Sequence, residues 1–74
     1  MEFKVGDRVK SIIYTTRSPG IIMCKEGDTL GVEHDDYMMG HHCSYTCKSG
    51  HGYWYTPSEL ELISPSQDIL ILLL

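Results

Sequence analysis

Residues 40–52 read GHHCSYTCKSGHG, three histidines and two cysteines in thirteen positions. No other feature limits the possible folds as much. A chain of 74 residues makes one domain at most, and a domain of that size buries only about 60% of the surface its unfolded form exposes. Small scaffolds make up the shortfall with disulfides, a structural metal or oligomerisation. A run this dense in imidazole and thiol is equipped to supply such a staple.

The chemistry of the staple follows from the cysteine count. There are three cysteines, an odd number, and the opening MEFKVGDRVK alternates charge and hydrophobe where a secretory signal would carry an apolar run. A reducing cytoplasm is therefore the expected compartment, where a Cys43–Cys47 disulfide does not persist. Metal binding is the better use of the thiols. Structural zinc takes four nitrogen or sulfur ligands in a tetrahedron, and the spacing His41-x-Cys43-x3-Cys47-x3-His51 supplies such a set. His41 and Cys43 share one parity of extended chain. Gly40, Gly50 and Gly52 permit the reversals that bring the rest round. Two thiolates and two neutral imidazoles cancel the charge of Zn2+. His42 competes with His41, and His34 with His51, for a place in this set. Cys24, among Ile21, Ile22 and Met23, reads as a small core hydrophobe.

Along the chain, the segment from Phe3 to Lys10 alternates: Phe3, Val5, Asp7 and Val9 lie on one parity and Lys4, Gly6, Arg8 and Lys10 on the other. That is the period of a half-buried strand. A turn cluster ends at Pro19-Gly20, and a second strand is expected over residues 21–25. Glu26-Gly27-Asp28 makes a tight hairpin into a third strand through Leu30 and Val32. Tyr53-Trp54-Tyr55 favours a fourth strand. Pro57-Ser58-Glu59 starts one helical turn before a last strand through Leu60, Leu62 and Ile63. The expected fold is all-β: a small SH3-like barrel of about five short strands over residues 1–64, with a metal loop at 37–52 before the fourth. Residues 65–74 form an apolar tail. Its DILILLL is far shorter than the roughly 20 residues of a bilayer span, so no membrane role is expected, and it suits packing on the barrel or on a second copy in a homodimer.

Net charge is −4, with Glu26, Asp28, Glu33, Asp35 and Asp36 inside eleven residues and no Lys or Arg after Lys48. Phosphate binding draws on clustered cations, so direct nucleic-acid binding is not expected. An acidic face formed by Glu33, Asp35 and Asp36 beside Tyr53 and Trp54 suits a protein partner with a basic surface. Catalysis has weaker grounds. A zinc hydrolase would need an open coordination position and a carboxylate base, and a thiol enzyme a histidine beside Cys43 or Cys47; both rest only on nearness in sequence. The chain is therefore not expected to be an enzyme.

FKVGDRVK, GIIMCKEGDTLGVEHD, GHHCSYTCKSGHGYWY and TPSELELI together resemble small SH3-like barrel proteins encoded by bacteriophages, over about residues 3–63. In those proteins a Gly-His-x-Cys segment and a later Gly-His-Gly-aromatic segment precede the fourth strand. Such phage proteins include anti-CRISPR inhibitors of type II systems, which block an effector nuclease from loading guide or target DNA. The resemblance implies a non-catalytic inhibitor acting in the bacterial host cytosol. Its target's heteroduplex channel is basic, which suits an acidic ligand.

Overall fold

A computed structural model describes residues 2–65; the apolar segment from residue 66 onward lies outside them. The order is β1 (Arg8–Ser11), β2 (Gly20–Glu26), β3 (Thr29–His34), β4 (Gly52–Tyr55), a 3-10 turn at Pro57–Glu59 and β5 (Leu60–Ser64). All pairings are antiparallel, in the sheet order β4-β3-β2-β1-β5. Four strands meander, and the fifth returns after the 3-10 turn to close on β1. This is the layout of a small SH3-like barrel. Among the described residues no helix is long and apolar enough to cross a membrane.

Local chemistry accounts for the turns. Glu26 pairs with Thr29 across a two-residue loop, and Gly27 sits at φ 59°, the positive value that a twisted hairpin demands at that position. Before the 3-10 turn, the Glu59 carboxylate accepts the Thr56 N–H at 2.8 Å. Pro57 opens the turn, where its missing N–H is no loss.

The first strand is shorter than the alternation suggests. Asp7 N–H donates to the Lys4 carbonyl at 3.0 Å, and the Asp7 carboxylate accepts the Lys4 N–H at 2.8 Å. With Gly6 at φ 97°, residues 4–7 make a turn whose third position requires positive φ. Phe3 and Val9 still reach the core, while Val5 is thrown out to 52% exposure.

The core lies on one face of the sheet: Phe3, Val9, Ile22, Leu30, Val32, Tyr55 and Leu60, with Tyr53 and Leu62 against them. Side chains of this size each contribute about 1.5–3 kcal/mol when fully buried. A polar chain is built into the same face. His34 is buried, its Nδ1 donating to the Ser18 carbonyl at 2.6 Å and its Nε2 accepting from the Tyr55 hydroxyl at 2.8 Å. Tyr55 in turn accepts from Arg17 at 3.0 Å. The Arg17 guanidinium lies 3.9 Å from the Tyr14 ring centroid and 4.2 Å from that of Tyr53, so the charge is held by two aromatic faces.

In this arrangement the neutral form of His34 is favoured. Burial is the main cause that pushes its pKa down, with the Arg17 charge adding to it and the Ser18 carbonyl opposing. Its stabilisation is therefore complete above the unfolded value of about 6.5 and is lost as pH falls below it. The Arg8–Asp35 pair, which lowers the Asp35 pKa, is lost only below the ordinary aspartate value of about 3.9. Urea unfolding measured from pH 7 to pH 5 is expected to show stability declining, and His34→Gln is expected to flatten the slope.

Candidate functional site

Residues 35–51 join β3 to β4 and fold back over the second face of the sheet. Strand alternation sets what lies beneath. Leu30, Val32 and His34 point to the core, so Gly31 and Glu33 point away from it. Their cross-strand partners Trp54 and Gly52 share that outer face. Two of the positions under the loop are thus glycines, and thiols stand over both. A methyl group placed on Gly31 would lie 2.6 Å from Cys24 Sγ and 3.1 Å from Cys43 Cβ. One on Gly52 would lie 2.7 Å from Cys43 Sγ and 3.0 Å from Cys47 Cβ.

Cys43 is 0% exposed and Cys47 is buried, and both lie against Gly52. Burial pushes both thiols up, Cys43 far up, so each stays protonated at neutral pH as the protein folds. The Thr46 hydroxyl sits among the sulfur-bearing residues, 3.2 Å from Cys24 Sγ, 4.0 Å from Cys47 Sγ and 2.5 Å from the Cys43 carbonyl.

The backbone here is unusual. Cys43, Ser44 and Tyr45 are consecutive residues at φ 47°, 56° and 69°, a left-handed turn that costs about 1–2 kcal/mol per non-glycine residue. Imidazoles hold it in place. His41 Nδ1 accepts the Cys43 N–H at 3.0 Å, and His42 Nδ1 accepts the Tyr45 N–H at 2.8 Å. The Cys47 N–H closes the turn on the His42 carbonyl at 2.9 Å. Tyr45 lies flat on the His42 ring, with centroids 4.1 Å apart.

Of the four ligands expected from spacing, Cys43 and Cys47 both pack over Gly52. His41 is placed at the β4 edge, bridged by its backbone to Gly52 and stacked near Tyr53 and Trp54 at 6.0 Å from each. His51 turns elsewhere. Its Nδ1 donates to the His34 carbonyl at 2.9 Å, and its ring meets Tyr37 edge-on. His34, weighed as a substitute, has both ring nitrogens engaged in the core. Cys24 departs from its reading as a core hydrophobe. A bulge after Ile22 shifts the β2–β3 register, so Ile22 faces Val32 in the core while Cys24 faces Gly31 on the loop side. Among the described residues no group of three His, Cys, Asp or Glu side chains is placed to hold a metal ion.

The expected partner-binding residues are also distributed. The Glu33 carboxylate accepts the Lys48 N–H and anchors the loop. Asp35 is clasped by both guanidinium nitrogens of Arg8. Asp36 is exposed, its N–H donating to Ser18 Oγ at 3.0 Å. Tyr53 and Trp54 are half-buried. The large exposed side chains of the loop are instead Tyr37, Met39 and Tyr45, at 67%, 84% and 88%. Nothing in their sequence neighbourhood separates them from buried aromatics elsewhere in the chain.

Because the glycines are the floor of this packing, Gly52→Ala is expected to lower the unfolding free energy by about 1–3 kcal/mol, read from the urea midpoint, with the barrel's far-ultraviolet circular dichroism retained. Comparison with protein-family models, with curated proteins and with solved structures finds no match to the chain.

Proposed function

We propose that this protein is a non-catalytic, protein-binding module whose contact surface is the apex of the loop that covers the outer face of the sheet. The observation that carries the reading is Tyr45: 88% exposed, yet stacked on His42 at the top of a strained and heavily hydrogen-bonded turn. A rigid aromatic side chain held out to solvent loses little freedom on binding, the property of an interface anchor. Met39 and Tyr37 extend the apolar area, and exposed Asp35 and Asp36 lie on the same connection. Such a surface suits a partner with a basic, partly apolar patch.

The cations argue against a nucleic acid in that role. Arg8 and Lys10 are paired with Asp35 and Glu61, Arg17 lies between tyrosines, and Lys25 donates to the Phe3 carbonyl. Four of the six Lys and Arg residues are thus engaged within the fold. A zinc ion on the loop's sulfurs would serve this module as a staple and supply no chemistry. The first partner to test is a type II CRISPR effector nuclease. The chain resembles phage-encoded barrels that include inhibitors of such enzymes, and the heteroduplex channel of these nucleases is basic.

Added to a type II effector before its guide or target DNA, the protein is expected to slow target cleavage. Tyr45→Ala is expected to weaken binding by at least about 10-fold, the scale of an interface anchor, with an unchanged melting temperature. Cleavage unaffected by excess protein would remove the nuclease as partner. Retained binding by a Tyr45→Ala, Met39→Ala double variant would remove the loop apex as the surface.

A further inference from the structure

β5 is an outermost strand of the sheet, with β1 on one side of it and no strand among the described residues on the other. The register sets the direction of its hydrogen-bonding groups. Ile12 N–H donates to the Glu59 carbonyl at 3.0 Å, and Lys10 pairs with Glu61. Glu59 and Glu61 therefore direct their backbone groups to β1, and the residues of the other parity direct theirs away from it. Leu60 turns its N–H back to the Pro57 carbonyl, whereas Leu62 presents both N–H and C=O outward.

A groove of about 330 Å³ follows this edge, lined by Leu60, Glu61 and Leu62 and, across from them, by Phe3, Pro57 and Ser58. Consecutive strand side chains point to alternate faces, so three in a row border one groove only where it runs along the strand's edge. Phe3 and Leu60 belong to the core, and the groove is thus a place where the core reaches the surface. A bare edge beside apolar side chains is a template for another strand.

The chain leaves β5 at Ser64 and continues Pro65-Ser66-Gln67-Asp68, then ILILLL. Pro, Ser and Asp are turn residues, and a connection of this length is common in hairpins. We propose that residues 69–73 of the same chain dock on the free edge of β5 as an antiparallel sixth strand and close the groove. With residues 65–68 as the loop, Ser64 stands opposite Ile69, Leu62 opposite Ile71 and Leu60 opposite Leu73. Ile71 then exchanges both backbone hydrogen bonds with Leu62, whose groups already point that way. Cross-strand partners share a face, so Ile71 and Leu73 lie over the groove with Leu62 and Leu60, while Leu70 and Leu72 lie on the solvent side with Ile63 and Glu61. The short tether keeps the segment beside its own edge at high effective concentration, which favours it over the same segment of a second copy.

The test is amide hydrogen exchange of the full chain, read residue by residue by nuclear magnetic resonance, with the mass of the species measured by sedimentation. In the wild type the Leu62 amide is expected to exchange at least about 10-fold more slowly than an exposed amide, in a monomer. Ile71→Asn is expected to abolish that protection while the β2–β3 ladder stays protected; Leu72→Asn, on the opposite face, is expected to keep it. Free exchange at Leu62 in the wild type would overturn the docking, and so would equal protection in both variants. A dimer that dissociates on Ile71→Asn would give the edge to a second copy's segment and overturn docking within one chain.

Discussion

The structure depends on two missing side chains. Gly31 on β3 and Gly52 on β4 leave the outer face of the sheet low enough for cysteine sulfurs to rest on it. The loop between those strands can therefore lie flat and become a second layer. A chain this short has one conventional core, on the opposite face, and the loop adds cover to a face that an antiparallel sheet could otherwise leave to water. Thiols suit the position: they are small, apolar when protonated, and readily buried. Cys43, with no exposure, behaves as a core residue that happens to belong to a loop.

That layer explains how the protein maintains a left-handed turn of three non-glycine residues. The turn would not persist alone. Sulfur packing holds its base, imidazole acceptors on His41 and His42 satisfy its N–H groups, and the Glu33 carboxylate fixes the chain just beyond it. The two faces are mechanically joined at the end of β3. His34 is tied into the core through Tyr55 and Arg17, while its carbonyl holds the His51 ring and its N–H the His51 carbonyl. Histidine thus does three separate jobs: core bridge, turn acceptor and loop clamp. Rigidity at the apex is what makes exposed Tyr45 useful as a contact.

Much of the architecture was legible before any coordinates. Gly27 marked the hairpin, Pro57 the 3-10 turn, and the tyrosines with Trp54 the fourth strand. Val5 was misleading because alternation in Phe3–Lys10 includes a turn that only the Lys4–Asp7 hydrogen bonds reveal. In the loop, spacing put four candidate ligands in one short segment, but spacing is blind to direction. His51 is as near to Cys47 in sequence as Cys43 is, and its ring is turned away by the His34 carbonyl at the end of the preceding strand. Cys24 was readable in principle. Counting back from the two-residue turn pairs it with Gly31, on the face opposite Leu30 and Val32; hydrophobic neighbours concealed this, since the bulge at Met23 breaks their common parity. The exposure of Tyr45 accompanies a left-handed turn without glycine, which no local propensity announces.

The most direct measurement of the second layer is the rate at which a thiol reagent of Ellman type reacts with the metal-free, reduced protein at neutral pH. If the loop is packed on Gly31 and Gly52, Cys43 and Cys47 react only through opening of the fold, orders of magnitude more slowly than in urea, while half-exposed Cys24 reacts first. If all three thiols react in the native protein as quickly as in the unfolded chain, the loop is not a layer of the structure and the account built on it is wrong.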